Sequence, residues 1–95
     1  MAALWLSRVT VTDAEAYAKY AKLAVPAVEL HGGRFIARGG RVVQIEGDGT
    51  DRNTVIRFET VEAAEACYHS AEYQAAPEFA RDASERTLTI VEISE

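Results

Sequence analysis

A single cysteine, Cys67, leaves this 95-residue chain without an internal disulfide or a cysteine-based zinc site, and it fits a reducing compartment better than a secreted one. Positive charge is also scarce. Ten lysines and arginines against fifteen acids give a net charge of −5, the wrong sign for holding nucleic acid or an anionic membrane through summed charge. No run approaches the roughly 18 consecutive apolar residues of a membrane-spanning helix. The start, Met1-Ala2-Ala3-Leu4-Trp5-Leu6, lacks the basic region and long apolar stretch of a signal peptide, so the chain reads as soluble and cytoplasmic. Repeats, low-complexity tracts, phosphate-binding glycine loops, nucleophile elbows and serine-histidine-aspartate patterns are absent too. At this length a single domain spanning 1–95 is expected. A chain so short buries about 65% of its unfolded surface, so a partner that covers more apolar area would help.

What is present is a clear alternation of patterns. Leu4 to Val11 carries large apolar or β-branched residues on both faces, with Leu4 and Leu6 on one and Trp5, Val9 and Val11 on the other, as in a strand covered on two sides. Thr12-Asp13 then opens a helix whose apolar stripe is Ala14, Tyr17, Ala21, Ala24 and Val28, opposite Glu15, Lys19, Lys22 and Glu29. Pro26 falls inside it and predicts a kink or break near Ala24 and Val25. Gly32-Gly33 ends the helix.

Arg34 to Arg38 reads as a second strand. Gly39-Gly40 then makes either a hairpin turn or a bulge before the extended run Val42 to Ile45. The bulge is the favoured reading, because Gly47 to Asn53 is the better hairpin loop and leads into a strand from Thr54 to Glu59. Thr60 caps a second helix with the stripe Val61, Ala64, Cys67 and Tyr68; Ser70 caps a further turn carrying Tyr73; Pro77 opens a last helical piece with Phe79, Ala80 and Ala83. Thr87 to Ile93 closes the chain as a strand.

The order βαββαβ suits a ferredoxin-like α+β sandwich, a four-stranded antiparallel sheet with the helices on one face. The strands are apolar on their other side as well. That pattern predicts a homodimer formed by stacking the free sheet faces.

Gly32-Gly33-Arg34-Phe35-Ile36-Ala37-Arg38-Gly39-Gly40, the following Glu46-Gly47-Asp48, Val55-Ile56-Arg57-Phe58 and the stretch from Ala64 to Ala76 resemble, in order and spacing, the domain of unknown function 1330 family. The likeness runs almost end to end. It implies the dimeric α/β-barrel superfamily, whose ferredoxin-like subunits pair through their sheets, and it brings no established reaction. Two positions depart from the family pattern. Cys67 stands where an aromatic is common, and Ala71 where a proline would be, so a pocket beside this helix is expected to be reshaped.

Arg34 and Arg38 point to the same side of a regular strand and form a forked site for a carboxylate. His31 lies close in sequence and suits proton transfer near neutral pH, which makes His31 and Arg38 the candidate catalytic residues. The plainer reading is that the arginines are solvated or paired with Glu46 or Asp48, and that His31 ends its helix. Trp5, Tyr17, Tyr20, Tyr68 and His69 are the groups that would line a ligand cleft between helix and sheet, with core packing the competing role for Tyr17 and a helix cap for His69. Two histidines without a paired acid motif predict no metal site, and no bound cofactor is expected, although the superfamily resemblance leaves haem ligation by one histidine open. Cys67 reads as an inert core thiol, and Asp48 and Asp51 lack the ligand spacing of a calcium loop. Two functional classes follow: an enzyme acting on a small aromatic or carboxylic metabolite, or a noncatalytic dimeric module that binds a ligand or a protein.

Overall fold

The computed structural model describes residues 1–76 and 83–94. Its elements are β1 (Ala3–Val11), α1 (Ala14–Leu30), β2 (Arg34–Arg38), β3 (Arg52–Phe58), α2 (Val61–His69), α3 (Ala71–Gln74) and β4 (Ser84–Glu92). The helical piece expected from Pro77, with Phe79 and Ala80, lies outside the described residues. The four strands form one antiparallel sheet in the order β2-β3-β1-β4. This is the ferredoxin-like arrangement read from the alternation of periods.

Local chemistry sets the helix boundaries. Asp13 accepts from the Ala16 amide at 3.2 Å, Thr60 from the Ala63 amide at 3.0 Å, and Ser70 from the Tyr73 amide at 3.2 Å, each supplying a partner to a first-turn donor. At the far end of α1 the Gly33 amide donates to Val28 and the Gly32 amide to Glu29, the paired bonds of a Schellman cap.

Alternation along the strands sorts the side chains. Trp5, Ser7 and Val9 of β1, Ile56 and Phe58 of β3 and Leu88 and Ile90 of β4 share the helix-facing side, where Trp5, Val9, Ile56 and Phe58 are buried with Tyr20, Ala24, Ala27 and Val28 of α1, Ala64 and Cys67 of α2, and Tyr73 of α3. Leu4, Leu6, Val55 and Val91 lie on the opposite side, which no element among the described residues covers.

Two local expectations are corrected. Helix α1 runs unbroken through Pro26. The ring removes one donor, but Ala24, Ala27 and Val28 around it are buried against the core, and that packing holds the helix past the missing bond. The second correction concerns Val42 to Ile45, which forms no strand. Gly39, at φ +70°, turns the backbone out of the extended region, so β2 ends at Arg38 and a long loop leads to β3. The bulge lies earlier, where the pairing with β3 slips between Phe35 and Ala37.

No helix among the described residues is long and apolar enough to cross a membrane.

Candidate functional site

Helix α1 and the sheet enclose a cavity of about 630 Å³. Its walls come from residues that alternation and helical spacing aim inward: Trp5 and Ser7 on β1, Tyr17, Tyr20 and Ala24 on α1, Phe35 and Arg38 on β2, Arg52, Thr54 and Ile56 on β3, and Tyr73 on α3. The loop after β2 closes one side through Gly39, Gly40 and Val42, with Asp51 and Asn53 beside them. Asp51 accepts from the Val11 amide at 3.3 Å, which fastens the end of that loop to β1.

The slip in β2 decides which arginine reaches this space. Arg34 pairs with Arg57, whose neighbours across β1 lie on the uncovered side, whereas Arg38 pairs with Thr54, whose neighbour Ser7 lies on the helix side. The extra residue, Ile36, turns the strand by half a period. The two arginines therefore lie on opposite faces of the sheet, contrary to the regular-strand expectation of a shared carboxylate fork. Of these two, only Arg38 lines the cavity, its guanidinium 4.8 Å from the Phe35 ring centroid.

His31 does not join it. The imidazole Nε2 lies 2.8 Å from Glu72 Oε1, tying the end of α1 to α3, and the histidine is not among the cavity-lining residues. The hydrogen bond from His31 lowers the Glu72 carboxyl below its ordinary range, with the backbone amide of Glu72 adding to the effect. The catalytic pairing of His31 with Arg38 is not assembled, because the helix cap aims the ring at α3 while the bulge aims Arg38 under α1.

Trp5, Tyr17 and Tyr20, expected to line a cleft, do line it. Tyr68 and His69 do not. They border a separate shallow hollow of about 230 Å³ with Glu65, Leu88 and Ile90, and their rings meet edge to face at 5.1 Å. Tyr68 still touches the aromatic cluster from behind, 6.1 Å from Trp5 and 5.5 Å from Tyr73. Cys67 is fully buried, and burial pushes its thiol up to about 11.

Sequence reasoning missed Arg86 and the role of Tyr73. Tyr73 is completely buried, 5.1 Å from Trp5, and Arg86 lies over the Tyr20 ring at 4.4 Å while donating to the hydroxyls of both tyrosines. The signal for Arg86 was parity, since it falls in step with Leu88 and Ile90 on the inward side of β4. Burial works against the Arg86 charge, but the adjacent phenols more than offset it and the guanidinium stays charged. Burial also raises the phenols of Tyr17 and Tyr20 above the ordinary tyrosine range. Both are therefore protonated at neutral pH and act as hydrogen-bond groups rather than bases. Among the described residues no three histidine, cysteine, aspartate or glutamate side chains converge to hold a metal.

The sequence model of a family described as Domain of unknown function (DUF1330) matches residues 2–94. The chain belongs to the DUF1330 family. A comparison with curated proteins gave no match. Among solved structures, this DUF1330 chain is similar to a protein of unknown function from Rhodopseudomonas palustris, with 20% identity and a TM-score of 0.77 over 99% of this chain and 83% of that one. It is also similar to a dimeric protein of unknown function and ferredoxin-like fold from Bacteroides fragilis, with 9% identity and a TM-score of 0.66 over 97% of this chain and 96% of that one. A third is SnoaB, a cofactor-independent oxygenase from Streptomyces nogalater, with 11% identity and a TM-score of 0.63 over 99% of this chain and 94% of that one. At these identities the likeness establishes the fold.

Proposed function

We propose that this DUF1330 protein is a homodimer that binds a small aromatic carboxylic acid in the cavity beneath α1. One observation carries the reading: a space of about 630 Å³, walled by Trp5, Tyr17, Tyr20 and Phe35, has two guanidiniums on its sheet side, Arg52, which lies over the Tyr17 ring at 5.2 Å, and Arg38. Known ligand sites span about 300–1,000 Å³ and combine apolar walls with a few polar anchors. Flat aromatic walls suit a ring, and an arginine suits a carboxylate through forked, charge-assisted bonds. The Tyr17 and Tyr20 phenols are held protonated, which favours recognition over proton abstraction, and binding of this kind needs no cofactor. The dimer rests on the uncovered sheet side with Leu4, Leu6, Val55 and Val91, and on the dimeric state of the Bacteroides fragilis neighbour.

The test is calorimetric titration with benzoate and, as a neutral control, benzamide. Arg38→Ala is expected to weaken benzoate at least about tenfold while leaving benzamide unchanged, the loss typical of a charge-assisted bond. Equal benzoate affinity in both proteins would remove Arg38 from the site. Native mass spectrometry of the freshly purified protein reports subunit number and any retained acid together.

A further inference from the structure

Tyr20 on α1 and Tyr73 on α3 both line the cavity, and Arg86 on β4 meets their hydroxyls, brought to them from a distant part of the chain. The two phenol oxygens lie 2.7 Å apart, and one terminal nitrogen of Arg86 donates to both, at 2.9 Å to Tyr20 and 2.8 Å to Tyr73. A phenol has one proton and room for two incoming bonds. Whichever tyrosine donates to the other, the receiving oxygen accepts from that phenol and from Arg86, and its own proton finds no acceptor among the described residues. A buried donor without an acceptor is costly, and both tyrosines line the cavity, so an oxygen bound there is the partner within reach.

Charge points the same way. Arg86 makes no ion pair with any carboxylate among the described residues, and its Nε is buried without a hydrogen-bond partner. A partly buried cation with no counter-charge among the described residues favours a negative or strongly polarised oxygen nearby. The guanidinium also draws density from both phenol oxygens, which strengthens the spare hydroxyl as a donor.

We propose that Tyr20 and Tyr73, positioned and polarised by Arg86, form a donor site for a carbonyl or anionic oxygen. The ligand is then an aromatic acid that carries a second oxygen acceptor away from its carboxylate. This inference rests on the aromatic-acid reading of the cavity. Arg38 and Arg86 lie on β2 and β4, the two edges of the sheet, three strand spacings apart across it and two residues out of register, about 16 Å between their backbones, which leaves space for a ring with a substituent at each end. The tyrosines are the groups that touch the ligand, and Arg86 acts through them.

The experiment compares 4-acetylbenzoate with 4-isopropenylbenzoate by titration calorimetry. The two acids share carboxylate, ring and outline, and differ only in a carbonyl oxygen against a methylene. The acetyl acid is expected to bind about tenfold more tightly, one hydrogen bond's worth of discrimination. Its advantage disappears in the Tyr20→Phe/Tyr73→Phe double variant and persists in part in either single variant, where the remaining phenol keeps a free proton. Arg86→Gln reduces the advantage without altering affinity for 4-isopropenylbenzoate, which a purely structural role would not do. Equal binding of the two acids to the unaltered protein overturns the donor site and leaves the aromatic-acid cavity standing. Binding of neither overturns both. That comparison needs no substitution, so it decides the question even where the double variant fails to fold.

Discussion

The ring of Phe58 occupies the space that a β-carbon on Gly33 would need: such an atom would lie 2.7 Å from Phe58 Cζ and 2.5 Å from Val28 Cγ1. Both contacts are with buried side chains, so neither can withdraw freely. Gly33 thus lets the end of α1 and the start of β2 close over β3. Gly33→Ala is expected to destabilise by about 1–3 kcal/mol through overpacking. For a domain of this size each kcal/mol lowers the melting midpoint by roughly 4–8 °C. A melt within a degree of the unaltered protein would show that the core yields more easily than its burial implies.

On the uncovered side of the sheet, Leu6 pairs with Val55 on one neighbour and Thr89 on the other, while Leu4 sits opposite Val91. A carboxylate at the centre of this surface would have to be desolvated if two sheets stack there. Leu6→Asp is expected to convert a dimer to a monomer in native mass spectrometry. A dimer that survives the change would place the interface elsewhere.

Tyr17 and Tyr20 give alkaline stability a definite sign. Burial raises both phenols, and neighbouring Tyr73 raises Tyr20 further. The folded protein keeps these protons at pH values where the unfolded chain has released them, above about pH 10. Their contribution is full below that point and is lost as pH rises through the raised folded values. Urea midpoints should hold steady near about pH 8 and fall beyond about pH 10, with a shallower fall in Tyr20→Phe. An identical slope in that variant would assign the alkaline loss to other groups.

Cys67 should be nearly inert while the protein is folded. Its sulfur is buried 4.0 Å from the Ala27 carbonyl oxygen, and burial, helped by Glu72, holds the thiol at about 11. Labelling by a chromogenic disulfide at mildly alkaline pH is expected to run at least roughly a hundredfold slower than for a free thiol, reaching the free rate in denaturant. Fast labelling of the native protein would mean that α2 opens readily.

The residues at Asp13, Thr60 and Ser70 marked helix starts in the sequence because a cap is made within three residues of itself, and the parity that sets Trp5 and Val9 against Leu4 and Leu6 was readable because strand alternation is local. Those features determined the element order, the ferredoxin-like sheet and most of the core. The tertiary structure decided the rest. Whether Arg34 and Arg38 share a face depends on where β2 slips against β3, a property of two strands and not of one. Pro26 is carried by packing that its own helix cannot supply. The site took shape only when β4 brought Arg86 to Tyr20 and Tyr73, 66 and 13 residues away in the chain. Contacts of that range are set by the folding of the whole sheet against its helices, and no local pattern encodes their distance.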